Sequence, residues 1–105
     1  FDTGSAVVRN SLRSDLAILA DSINEFPNTT IDIIGHTDNV GAASFNQQLS
    51  AQRAESVFNI LAAGNVATSR MRAIGRGENE PKATNLTEEG KAQNRRVEII
   101  IRPVQ

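Results

Sequence analysis

Two stretches of helical period flank one short run of isoleucine, and that arrangement restricts the chain to layered mixtures of helix and strand. In residues 11–26, Leu12, Leu16, Leu19, Ile23 and Phe26 recur at spacings of three and four, drawing one apolar stripe along a helix that Pro27-Asn28 stops. Residues 30–35 read as a strand. Ile31 and Ile33 share one face, Ile34 joins Asp32 on the other, and apolar groups on both faces predict a central place in a sheet. A second helix is predicted from Ser44 to about Ala63. Ser44 and Gln47 have the spacing of a capping box, Leu49, Ala54, Val57, Phe58 and Leu61 form its buried face, and Gly64-Asn65 ends it.

The rest of the chain continues the alternation. Residues 70–75 are predicted as a third strand, after one near the start of the chain, and Gly75, Gly77 and Pro81 mark a long turn-rich loop. Thr87-Glu88-Glu89 is a capped helix start with its acids toward the positive end of the helix dipole, and that short helix runs to about Asn94. Val97, Ile99 and Ile101 alternate with Glu98, Ile100 and Arg102 in a last strand that Pro103 terminates. Room remains for a short first strand around Phe1 to Val8. The expected class is α+β, a two-layer sandwich with helices on one face of a sheet.

Bulk properties exclude several functions. A chain of 105 residues is expected to be one domain with a core that needs no disulfides. A formal charge of −1 leaves no basic excess to neutralise phosphates, which argues against nucleic acid. No apolar run approaches the roughly 20 residues of a membrane span. With no cysteine, thiolate nucleophiles and thiolate metal sites are ruled out. Beginning at Phe1, the chain reads as a domain trimmed from a longer precursor.

The chemistry concentrates in Gly35-His36-Thr37-Asp38-Asn39-Val40-Gly41, followed by Asn46, Leu49-Ser50 and Arg53-Ala54. Asp38 sits in a glycine-bounded loop just after a strand, and Arg53 follows fifteen positions later at the expected start of a helix. A carboxylate and a guanidinium on adjoining elements can grip a zwitterion, the first taking an ammonium group and the second a carboxylate. The pattern is one of binding rather than catalysis. Asp38 also has a plainer reading as an Asx turn, Arg53 as a side chain running along the core edge, and Asn46 as a helix cap. Asn94-Arg95-Arg96 is a third cluster, whose two arginines must point to opposite faces on entering the strand. His36 is the only histidine, a poor metal site without partners, and no essential role is expected of it. Glu78 and Glu80 read as solvated loop charges.

The motifs GHTDNVG…FN..LS..RA..V and G.GE..P.A.N.TEEGKAQNRRVEI.I, with the opening Phe1-Asp2, resemble the OmpA-like C-terminal domain family across nearly all of the chain. That family includes peptidoglycan-associated lipoproteins and the periplasmic part of MotB. The resemblance implies a βαβαβ core with an extra short helix before the last strand and a mixed sheet. It implies a non-catalytic periplasmic module, without cofactor or metal, that anchors an outer-membrane or envelope protein to the cell wall. It implies that the module binds peptidoglycan through diaminopimelate of the stem peptide, and that such domains also meet other envelope proteins. Carried over position by position, Asp38 contacts the ammonium group and Arg53 a carboxylate, with Thr37, Asn39, Gly41, Asn46, Leu49 and Arg95 completing the site. Phe45 stands where the family usually has Tyr, which removes a hydroxyl.

Overall fold

The computed structural model describes residues 1, 2 and 4–104. Its elements are α1 (Asn10–Glu25), β1 (Thr29–Gly35), α2 (Ala43–Ala63), a 3₁₀ turn (Thr68–Arg70), β2 (Met71–Gly75), α3 (Glu88–Asn94) and β3 (Val97–Pro103). The three strands form a mixed sheet in the order β2-β1-β3, with β1 parallel to β2 and antiparallel to β3. A parallel pair needs a crossover, and α2 supplies it. The class is the α+β sandwich expected from the pattern, with three helices and three strands. The short first strand is not formed among the described residues of 1–8.

Burial follows the two periodicities. Ile31 and Ile33 are fully buried against Leu16, Ala20 and Ile23 of α1 and Ala54, Val57 and Leu61 of α2. The isoleucine run takes the central strand, with Ile31 and Ile33 under the helices and Ile34 and Asp32 buried on the second face as well. Asp32 accepts two bonds of 3.0 Å from Arg72 and one of 2.6 Å from Arg102, so the flanking strands neutralise the charge that β1 carries on the face away from the helices. Those guanidinium groups hold its carboxyl down at about 2.

Two local expectations are corrected, at Phe26 and at Ser44. Phe26 lies beyond the end of α1 and is exposed, because the chain leaves helical geometry there and the stripe ends at Ile23. The cap of α2 is Ala42, without a side-chain bond, so Ser44 and Gln47 do not form a capping box. Gly35 is required for space and not for an unusual backbone angle. A Cβ built on it would lie 1.9 Å from the Ser50 carbonyl oxygen, so α2 rests directly on the end of β1. That close approach fixes where the loop after β1 emerges. Thr87 does cap α3, its hydroxyl accepting from the Gly90 N–H at 3.0 Å.

Candidate functional site

The loop that leaves β1 is tied down on both sides. His36 N–H donates to the Arg96 carbonyl at 2.9 Å, and Thr37 N–H donates to the Gly77 carbonyl at 3.0 Å. The buried Thr37 hydroxyl donates to the Asp38 carbonyl at 2.8 Å. Asp38 is thereby delivered at the carboxyl end of the central strand, where open sheets of this kind present their sites. Its side chain is only 5% exposed. One carboxylate oxygen accepts from the Val40 N–H at 3.0 Å, an Asx turn, and the other accepts from Arg95 Nη1 at 2.9 Å. Asp38 therefore makes the Asx turn with one oxygen and pairs with a guanidinium through the other.

Of the two adjacent arginines, Arg95 meets Asp38, and Arg96 turns away to Glu98 at 2.8 Å and the Glu80 carbonyl at 3.0 Å. Arg95 Nε also donates to the Phe1 carbonyl at 2.8 Å.

Arg53 is placed differently from expectation. It lies in the middle of α2, not at its start, and is 0% exposed. Its three nitrogens donate to three main-chain carbonyls, those of Ser5 at 2.8 Å, His36 at 2.9 Å and Asp2 at 2.9 Å. The guanidinium also stands 5.2 Å over the Phe1 ring, an arrangement that favours a cation. Burial lowers its pKa to about 10, with the nearby Asp38 opposing and Arg95 reinforcing, so it keeps its charge at neutral pH. It joins the opening segment to the base of the Asp38 loop.

The other expected residues surround this pair. Asn46 is buried inside α2 and is not a cap; its amide donates to the Asp38 carbonyl and to Glu78, both at 3.4 Å. Leu49 is buried one turn further along the same helix. Gly41 has φ of 89°, which a residue with a side chain rarely adopts. Asn39 and Val40 are exposed in the loop, and Phe45 is exposed in the first turn of α2.

Two structural polar residues carried no separable signal in the sequence. Buried Ser50 bridges α2 to the β2–α3 loop, its hydroxyl donating to the Gln47 carbonyl and accepting from Gly77 N–H, both at 2.8 Å. Buried Asn94 accepts from Lys82 and Ala83 N–H and donates to the Ala83 carbonyl, fastening the loop before α3. Its neighbours in the Asn94-Arg95-Arg96 run were the only hint. Among the described residues, no group of three or more His, Asp or Glu is placed to hold a metal, and no helix is long and apolar enough to cross a membrane.

A model of the OmpA family matches residues 1–95. The chain belongs to the OmpA family. Outer membrane porin F of Pseudomonas fluorescens is 44% identical over 101 residues, 96% of this chain and 31% of that protein. The peptidoglycan-binding protein ArfA of Mycobacterium bovis is 43% identical over 83 residues, 79% of this chain and 26% of ArfA. The crystal structure of the peptidoglycan-associated lipoprotein from Burkholderia pseudomallei superposes with a TM-score of 0.94 at 31% identity, covering 97% of this chain and 86% of that one. The chain thus spans a third or less of the curated relatives named here, and the OmpA-family fold is what it has in common with the lipoprotein.

Proposed function

We propose that this OmpA-family chain is a non-catalytic peptidoglycan-binding module that recognises diaminopimelate in the stem peptide and tethers an envelope protein to the wall from the periplasmic side. The observation that carries the reading is the Asp38–Arg95 pair, two opposite charges 2.9 Å apart at the rim of a strand-end loop. A molecule bearing an ammonium and a carboxylate on one carbon replaces that pair with two intermolecular ones. Asp38 takes the ammonium and Arg95 the carboxylate, and no buried charge is left without a partner. Names of relatives agree, since ArfA is called peptidoglycan-binding and the lipoprotein peptidoglycan-associated.

In this reading Thr37, Asn39, Gly41, Asn46 and Leu49 shape the pocket around Asp38. Arg53, fully buried and bonded to the carbonyls of Asp2, Ser5 and His36, supports it from beneath. Because an existing ion pair must open first, monovalent affinity is modest, on the order of micromolar to millimolar, with avidity along the polymer providing the hold.

The test is calorimetric titration with a diaminopimelate-containing stem peptide. Saturable heat for the wild type, lost in Asp38→Asn while circular dichroism shows the fold intact, is the expected result. Equal binding by wild type and Asp38→Asn would remove Asp38 from the site.

A further inference from the structure

His36 was expected to have no essential role, yet it is 2% exposed, and neither ring nitrogen has a hydrogen-bond partner among the described residues. A buried polar side chain left unpaired is costly and calls for a reason. Its ring does not turn to Asp38. Nε2 lies 3.5 Å from Glu98 Oε2, just beyond bonding distance. That same oxygen already accepts from Arg96 Nε at 2.8 Å, with the charged Nη2 2.7 Å away, while Arg96 Nη1 is itself buried without a partner among the described residues. One carboxylate oxygen therefore stands between a guanidinium that holds it and an imidazole that has not yet reached it.

The main chain of His36 links this cluster to the candidate site. Its N–H donates to the carbonyl of Arg96, the neighbour of Arg95, and its carbonyl accepts from Arg53. Asp38 follows two residues later. The charged groups around the ring are Arg96 and Glu98 from β3 and its approach, Arg76 and Glu80 from the loop after β2, and Arg53 from α2 at its carbonyl.

We propose that His36 is a proton-responsive positioning residue for the Asp38 site: on gaining a proton its ring closes on Glu98, competes with Arg96 for that oxygen, and shifts the segment that sets Asp38 against Arg95, so that ligand binding weakens in acid. The inference rests on the peptidoglycan-binding reading of that site. Burial, reinforced by Arg96, holds the imidazole below its ordinary range, whereas Glu98 stays ionised beside Arg96. The ring is thus neutral at pH 7 and charges only below the pH at which a free histidine does, about 6.5.

The experiment has two arms. In the first, His36 ring signals and the backbone amide signals of Asp38 and Arg95 are followed by NMR from pH 7.5 to 4.5 on the free wild-type domain. The expected result is one shared midpoint for all three. A ring that stays neutral throughout, or amide shifts that ignore its midpoint, overturns the proposal whether or not any ligand binds. In the second arm, affinity for meso-diaminopimelate is measured across the same range for wild type, His36→Gln and Glu98→Gln. Wild type should weaken roughly five-fold or more on acidification, a typical coupling between two sites. His36→Gln should show a flat profile, and Glu98→Gln a flattened one with the His36 midpoint moved lower. A His36→Gln profile as steep as wild type overturns the proposal even if that variant is less stable. Absence of binding at every pH instead defeats the peptidoglycan reading, and the first arm still decides the coupling between His36 and Asp38.

Discussion

Replacing Arg53 by lysine keeps the charge and removes the planar fork, which makes it a sharp test of what this residue does. Its three nitrogens reach three carbonyls that belong to separate parts of the chain, at Asp2, Ser5 and His36. A lysine ammonium is a single point at the end of a flexible stem and cannot meet all three. At least one buried carbonyl is left unpaired, at about 1–3 kcal/mol, and the contact over Phe1 is weakened. The expected loss for Arg53→Lys is about 2–3 kcal/mol, which for a domain of this size lowers the melting temperature by roughly 10–20 °C. Urea unfolding followed by circular dichroism measures it, with an unchanged slope showing that stability and not compactness has changed. A loss below about 0.5 kcal/mol would refute the view of Arg53 as a tie between the opening segment and the loop. The same reasoning bears on binding assays. Arg53→Ala strands all three carbonyls and removes an amount comparable with much of a domain's total of about 5–15 kcal/mol, so lost binding in that variant does not by itself identify a ligand contact.

Further outcomes follow from other particular contacts. Gly35→Ala places a methyl group 1.9 Å from the Ser50 carbonyl, so it should cost at least about 3 kcal/mol and displace α2 from the strand end; a melting temperature within a few degrees of wild type would contradict the close approach. Thr87→Ala removes the cap of α3 and should cost about 1 kcal/mol by chemical denaturation, with no change meaning that the bond to Gly90 N–H is not made in solution. Asp32 has its pKa lowered to about 2 by Arg72 and Arg102, below its unfolded value of 3.8, so the unfolded chain binds the proton more readily. Its contribution is complete above about pH 4 and disappears as pH falls toward 2. It amounts to about 1 kcal/mol, because both arginines are largely exposed. Asp32→Asn should show correspondingly less acid lability over that window, and identical pH curves would contradict the assignment.

The layers were legible because each long element carries a periodicity of its own. The Leu12-to-Ile23 stripe and the isoleucine run announce a helix and a central strand without outside help. Ends were less so. Phe26 continues the stripe in spacing but not in space, since one non-helical residue rotates its side chain out of register, and Ser44 resembles a cap although the preceding loop enters the helix at Ala42. For the site, spacing alone brought Asp38 to a loop and Arg53 to a helix, but not the direction of either side chain. A guanidinium in mid-helix beside a buried face can serve a ligand or its own backbone. Which it does depends on carbonyls of Asp2 and Ser5, 51 and 48 residues away, that no local pattern marks. The choice between Arg95 and Arg96 had the same origin, because strand alternation separates two neighbours without saying which faces the loop. His36 was set aside because a lone histidine has no pattern, and the carboxylate nearest its ring, that of Glu98, lies on another strand.

The claim that the Asp38 loop reads an ammonium and a carboxylate together is tested most directly by NMR titration of the isotope-labelled domain with meso-diaminopimelate, and in parallel with L-lysine blocked at its α-amino and α-carboxyl groups. The blocked lysine offers a side-chain ammonium with no carboxylate beside it. The account expects diaminopimelate to move the amide signals of Asp38 to Gly41 and the side-chain N–H signal of Arg95 in a saturable way, and the blocked lysine to leave Arg95 unmoved. Equal responses to the two compounds, or saturable shifts that appear only away from Asp38 and Arg95, would contradict it.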